Sequence, residues 1–216
     1  MPILLCAATS FEILPTIEYL QKKGMTDRVH ILITGVGSME TTYHLTKKIN
    51  AQQYSMIIQA GIAGSIDKNI DLQKTVLVGS ETIGDAGVWE KNIFRSLADL
   101  GLSGKNEWPW KENKLLNDNT SLKELNFPVV NGVTVQQITT DYKQLKYYER
   151  ELGAQIESLE GAALHYVGLR EKIPFLQLRT ISNYAGERNK KEWRLDGAVS
   201  QLNKDLQSLL YKTGFW

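Results

Sequence analysis

Three polar side chains, Glu12, Glu160 and Asn183, carry most of the chemistry that this sequence offers. Glu160 lies in Gln155-Ile-Glu157-Ser158-Leu159-Glu160-Gly161-Ala162-Ala163. Apolar residues at Leu159, Ala162, Ala163, Tyr166 and Val167 keep helical spacing, which predicts Glu160 near the start of an amphipathic helix. Gly168 weakens the far end of that helix and Pro174 breaks it. Phe175 to Ile181 is an apolar run of strand length, too rich in buried types for a surface strand. Ser182 and Asn183 fall where the strand should end, and ligands of open α/β sheets bind beyond the carboxyl ends of strands. One helix–strand unit therefore offers an accepting carboxylate and a donating carboxamide to a common pocket. A second acid, Glu12, follows the first apolar run and is placed to project into the same pocket from the top of that strand.

Each residue also has a purely structural reading. Glu12 stands three positions after Thr9, the spacing of a capping box. Glu160 is a first-turn glutamate of the kind the helix dipole favours, although Gly161, Ala162 and Ala163 beside it leave room for a ligand. Asn183 suits an Asx-type turn. Gly35-x-Gly37-x-x-Glu40 resembles a dinucleotide fingerprint whose third glycine is replaced, and a tight strand-to-helix turn accounts for it better. Gly61-Ile-Ala63-Gly64 permits close backbone approach to a ligand or simply makes a turn. His30, His44 and His165 lack metal-ligand spacing and read as structural or solvated. Cys6 sits in an apolar run without a His partner and reads as core. No Gly-x-Ser-x-Gly elbow occurs, which disfavours a serine hydrolase.

The elements that would position these residues alternate along the chain. Strands are expected at Ile3–Ala8, Val29–Thr34, Met56–Ala60, Thr75–Gly79, Gly132–Ile138 and Phe175–Ile181. Helices are expected after Thr9 with Pro15 in the first turn, over Thr41–Ile49, from about Tyr142 behind a Thr139–Asp141 cap, and over Ala198–Leu210. This alternation predicts a mainly parallel α/β sheet covered on both faces, and 216 residues suit one domain spanning 1–216. Lys91 to Phe127, with Trp108-Pro-Trp110, shows little periodicity and is expected to be a surface excursion, as a flap or part of a subunit contact. A net charge of +1 leaves no electrostatic footprint for nucleic acid or an acidic membrane. Met1 leads straight into Ile3–Ala8 without a basic stretch, and no apolar run reaches the ~18 residues of a membrane span. A soluble cytoplasmic protein is the expectation.

Taken together, these residues resemble the nucleoside phosphorylase superfamily, in the branch of methylthioadenosine/S-adenosylhomocysteine nucleosidases. The resemblance runs almost end to end. It is carried by Glu12 after a strand, Gly61-Ile-Ala63-Gly64, Glu157-Ser-Leu159-Glu160-Gly-Ala-Ala163, and Pro174-Phe…Arg179-Thr-Ile-Ser182-Asn183. Thr82-Ile-Gly-Asp85-Ala-Gly87 and Ile181 through Trp193 are more similar still to the futalosine hydrolases, which release hypoxanthine from futalosine in a route to menaquinone. The resemblance implies a three-layer α/β/α fold around a twisted, partly barrel-like mixed sheet, working without metal or cofactor. It assigns Glu12 to water activation and Glu160, with Leu159, to the ribose. Ala63 and Gly64 lie near the sugar, Arg179 and Ser182 support the site, Asn183 faces the purine, and Trp193 joins the substrate-binding set. The partner implied is a small purine nucleoside, with a homo-oligomer, a dimer in preference, as the expected assembly.

Asn183 departs from the adenine-specific nucleosidases, which by resemblance carry an aspartic acid there. A carboxamide is no general acid, but its N–H can meet the acceptor at position six of a 6-oxopurine, so a hypoxanthine-type base is expected. Arg188, Lys190 and Lys191 either meet the carboxylate that futalosine carries beyond its 5′ carbon or form a solvated basic loop. The rivals are a phosphorylase of the same fold, a methylthioadenosine-type nucleosidase, and a catalytically silent nucleoside-binding protein.

Overall fold

The computed structural model describes residues 1–119 and 124–212, apart from the side chain of Lys212. Strand β1 (Ile3–Ala7) is buried at every position. Its odd residues join one apolar cluster and its even residues, Leu4 and Cys6, another. This follows from side chains that alternate across a strand covered on both faces, and it explains the unbroken apolar run. Helices α1 (Ser10–Lys22) and α5 (Leu195–Lys212) cover the first face through Ile13, Leu20, Leu202 and Leu206. Helices α2 (Ser38–Ala51) and α4 (Gly161–Glu171) cover the second through Leu45, Leu164 and Val167.

The eight-stranded sheet adds β2 (Val29–Ile33), β3 (Met56–Ser65), β4 (Thr75–Ile83), β7 (Leu115–Leu116), β8 (Val129–Thr134), β9 (Ile156–Ser158) and β10 (Phe175–Tyr184). Strand β10 pairs parallel with β3 and antiparallel with β4. With β4–β8, β8–β9 and β9–β3 also paired, five strands close into a ring from which β1 and β2 extend. The sheet is thus mixed and partly barrel-like, as the resemblance implied, and less uniformly parallel than the alternation alone suggested.

Several boundaries move for identifiable reasons. Strand β3 does not stop at Ala60 but continues through Gly61–Ser65, so the glycines lie within a strand flanked by β10 and β9. Strand β10 continues to Tyr184, with a register break between Ile181 and Asn183 that leaves Ser182 as the extra residue of a bulge. Pro15 lies in the second turn of α1 rather than the first. Asp141 caps α3 (Tyr142–Arg150) by accepting from Lys143 N and Gln144 N at 2.7 and 3.1 Å, as expected. The excursion carries a hairpin, β5 (Gly87–Glu90) with β6 (Ile93–Ser96), which begins before Lys91. Trp89 and Phe94 of this hairpin pack with Tyr147 of α3, and Trp110 lies against Tyr166 of α4. Part of the excursion, 120–123, lies outside the described residues. Among those described, no helix is long and apolar enough to cross a membrane.

Candidate active site

Glu12, Glu160 and Asn183 line one cavity of about 290 Å³ at the end of the barrel. They come from α1, the entrance of α4 and the bulge of β10, segments far apart in sequence.

Glu12 is 6% exposed, serves as the capping-box acid of α1 and also lines the cavity. Its Oε2 accepts from Thr9 N and Thr9 Oγ1, each at 3.0 Å, and its Oε1 accepts from Ile62 N at 3.1 Å. Neutral donors thus fix the carboxylate, and no cation pairs with it among the described residues. Space for it depends on Gly61, where a Cβ would run into the Arg179 guanidinium and come within 2.9 Å of Glu12 Oε1.

Glu160 is the N-cap of α4 and 5% exposed. Gly37 N donates to its Oε1 at 3.0 Å, and Arg179 Nη2 stands 3.5 Å from its Oε2. Gly37 has φ 93°, a conformation a glycine adopts without strain, and it forms the N-cap of α2. The Gly35-x-Gly37 sequence is therefore a strand-to-helix turn, and it also presents an amide to a carboxylate 123 residues away. Sequence reasoning misses that donor, although the paired glycines are its signal. Arg179, fully buried, does not line the cavity. It stands behind Glu160 and also donates to Gln59 Oε1 at 2.8 Å, so it supports that carboxylate rather than lining the cavity.

The Asn183 amide is oriented from both sides. Ser182 Oγ donates to Asn183 Oδ1 at 2.8 Å, and Asn183 Nδ2 donates to Tyr184 O at 3.0 Å. One amide hydrogen remains for a ligand. Ala63, Gly64, Leu159, Ser182 and Trp193 all line the cavity. Gly64 lies opposite Asn183 in register, where a Cβ would stand 3.5 Å from Asn183 Nδ2.

Sequence reasoning misses much of the apolar wall: Phe11 of α1 and Ile62 of β3 sit on elements whose cavity-facing side the sequence does not mark, and Val36 and Ile138 are loop residues without periodicity. Glu157, visible in the sequence only as part of a motif, also lines the cavity, and burial holds its carboxyl above the usual range. Arg188 is the one cation on the wall among the described residues, stacked 5.7 Å from the Trp193 ring, whereas Lys190 and Lys191 do not line it. Cys6 is a core group, as expected, and His165 is buried too. Burial pushes the Cys6 thiol up to about 12 and the His165 imidazole down to about 4.

Comparison with known proteins bears on the family and the fold. The Phosphorylase superfamily profile matches residues 16–212. The futalosine hydrolase of Acidothermus cellulolyticus is 27% identical over 194 residues, covering 85% of this chain and 76% of the relative. The solved futalosine hydrolase of Helicobacter pylori superposes with a TM-score of 0.82 at 17% identity, over 98% of each chain. The 5′-methylthioadenosine/S-adenosylhomocysteine nucleosidase of the same organism, bound to butyl-thio-DADMe-Immucillin-A, gives 0.80 at 16% identity, again over 98% of each. At such identities the structural likenesses speak for the fold.

Proposed function

This chain belongs to the phosphorylase superfamily, and we propose that it hydrolyses the N-glycosidic bond of a purine nucleoside, futalosine, releasing hypoxanthine. The observation that carries the proposal is the convergence of Glu12, Glu160 and Asn183 on one cavity. The similarity to futalosine hydrolases supports the choice of substrate.

Water oxygen attacks C1′ while the bond from C1′ to N9 breaks. The ribose passes through an oxocarbenium-like state, and the base departs with the bonding electrons. Glu12 orients the water and takes its proton; the Thr9 and Ile62 donors leave it lone pairs for this task. Glu160 accepts from the vicinal ribose hydroxyls and offsets the positive charge of the sugar. Arg179 behind it and the Gly37 amide hold that carboxylate in place. Asn183 donates its free N–H to the anionic base at N7 or O6, which stabilises the leaving group without proton transfer. The proton taken by Glu12 returns to the base after cleavage, so atoms and charge balance.

Two features favour water over phosphate as nucleophile. The stretch Ala7–Glu12 holds no arginine, and Glu12, Glu157, Glu160 and Glu187 give the wall an acidic balance against the single Arg188. We place the protein in the cytoplasm as a homo-oligomer, dimeric in preference, and assign it to menaquinone formation on the same reading. Incubation with futalosine, inosine and methylthioadenosine, with and without phosphate, tests it when the free base is identified by chromatography. Phosphate-independent release of hypoxanthine from futalosine is expected. Strict phosphate dependence would make the protein a phosphorylase, preferential adenine release would overturn the base assignment, and tight binding without turnover would leave a binding protein.

A further inference from the structure

Behind the cavity lies a carboxylate that the reaction does not use. Glu81 of β4 is 1% exposed, and the backbones of Gly132 and Gly161 press so close that a Cβ at either would run into its carboxyl oxygens. Its hydrogen bonds fix an order of donors. Ala162 N donates to Thr134 Oγ1 at 2.7 Å, so the Thr134 hydroxyl spends its hydrogen on Glu81 Oε2, at 2.9 Å. On the other side Gln177 Nε2 lies 2.8 Å from Glu81 Oε1, and the Gln177 amide also faces the His165 ring. His165 Nδ1 stands 3.0 Å from Leu115 O and must carry the ring hydrogen, because a carbonyl only accepts. In the neutral ring Nε2 is then a bare acceptor. Both His165 Nε2 and Gln177 Oε1 are buried without a partner.

Turning the Gln177 amide over and adding one proton resolves both defects. A protonated Glu81 donates to Gln177 Oε1, and Gln177 Nε2 donates to His165 Nε2. A buried acceptor left unpaired is costly, so the protonated, fully paired arrangement is the favoured one. We propose that Glu81 is a positioning residue, a neutral acid that closes the chain His165–Gln177–Glu81–Thr134–Ala162 and so fixes the first turn of α4, whose N-cap is Glu160. Burial raises the Glu81 carboxyl to about 7, which agrees with this geometry. The charged or titratable groups facing Glu81 are Arg179 of β10, with Glu160 and, across Gln177, His165 of the α4 segment. A neutral Glu81 leaves the Arg179 charge to Glu160 alone. An ionised Glu81 competes for it, so Glu160 loses its hold on ribose as pH rises past about 7.

The proposal rests on the functional reading above only for what Glu160 grips. A folded-state carboxyl raised above its unfolded value stabilises fully below the unfolded value, and that stability is lost as pH rises toward the folded value. Melting temperatures of wild type and Glu81→Gln, taken from pH 5 to 8, should diverge: the wild type declines more steeply, because glutamine mimics the neutral acid at every pH. For the nucleoside that the wild type cleaves, KM should rise above pH 7 in wild type and stay level in Glu81→Gln, with kcat/KM at pH 6 within threefold. Thr134→Val, which keeps the acid but cuts its link to Ala162, should raise KM about tenfold at pH 6. Infrared spectra of the unaltered protein should show a protonated carboxyl band at pH 6 that disappears by pH 8, a readout that stands even where a variant fails to fold. Parallel melting curves, a loss above tenfold for Glu81→Gln at pH 6, an unchanged KM for Thr134→Val, or absence of the band would each overturn the proposal. A wild type that cleaves no nucleoside would refute the functional reading instead, and leave the melting and infrared results to judge Glu81.

Discussion

The two sides of the cavity are built differently. On the barrel side, Glu12 and Glu160 are nearly buried and held by backbone amides of Thr9, Ile62 and Gly37, and Asn183 sits in a bulge between paired strands. On the lip, from Ala185 to Leu195, Arg188 is exposed; the segment is anchored at its two ends, Ala185 N to Ser65 O and Arg194 N to Ser182 O, and between them its hydrogen bonds are local. Trp193 Nε1 donates to Glu187 O at 3.1 Å, Asn189 Oδ1 accepts from Lys191 N at 3.2 Å, and Arg188 stacks on Trp193. Groups that must meet a reacting bond within fractions of an ångström belong on paired strands and helix entrances; groups that choose a substrate tail can stand on a segment that opens locally. Changes at Glu12, beside the reacting bond, should therefore act on kcat, and changes on the lip on KM.

The largest effect is expected at Glu12. Glu12→Gln keeps a side chain able to cap α1 but removes the proton acceptor, and kcat should fall by ~10²–10⁴-fold. Stopped assays of base release would show KM within threefold of wild type. One backbone donor, Thr9 N or Ile62 N, would then face an amide NH₂, so a destabilisation of about 1–3 kcal/mol in denaturant melts should accompany the change. A KM effect larger than the kcat effect would break the division between barrel and lip.

Asn183→Asp comes second. The carboxyl can protonate or accept where the amide only donates toward the base, so the ratio of kcat/KM for 6-aminopurine over 6-oxopurine nucleosides should rise ~10–100-fold, the worth of one mispaired polar group. Competition between inosine and methylthioadenosine measures that ratio directly. An unchanged ratio would mean that Asn183 does not face the base.

The same division governs what is legible in the sequence. Both acids are visible there, Glu12 after an apolar run and Glu160 ahead of an apolar helical stripe, because burial on regular elements leaves a period to read. The extent of β3 is not: Gly61 and Gly64 read as turn residues, and only pairing with β10 and β9 makes them strand. The ring closure is equally hidden, since β10 has two neighbours, β3 and β4, and sequence carries no record of a second pairing. Arg179 reads as a support of the site, but its position in a motif does not tell which side of Glu160 it occupies. Glu81 escapes notice beside the fourth strand, where one acid among Ser80, Thr82 and Ile83 looks like an exposed edge. Its burial is set by three-dimensional neighbours: Gly132, Gly161, Thr134 and Gln177.

The smallest effect is expected on the lip, and it sharpens the comparison most. Arg188 is exposed, so water and salt screen its charge, and an exposed ion pair with a bound carboxylate gains ~0.2–1 kcal/mol. Its stacking on Trp193 adds pre-organisation, because a guanidinium already held over an indole loses less freedom when an anion arrives. With each tenfold step in affinity worth about 1.4 kcal/mol, Arg188→Ala should raise KM for futalosine about 3–10-fold and leave kcat level. Inosine, which carries no carboxylate beyond its 5′ carbon, serves as the internal control and should be cleaved with unchanged KM by both proteins. Added salt should shrink the difference for futalosine and not for inosine. An equal loss on the two substrates would assign Arg188 to the structure of the lip, and a fall in kcat would place it on the barrel side of the division.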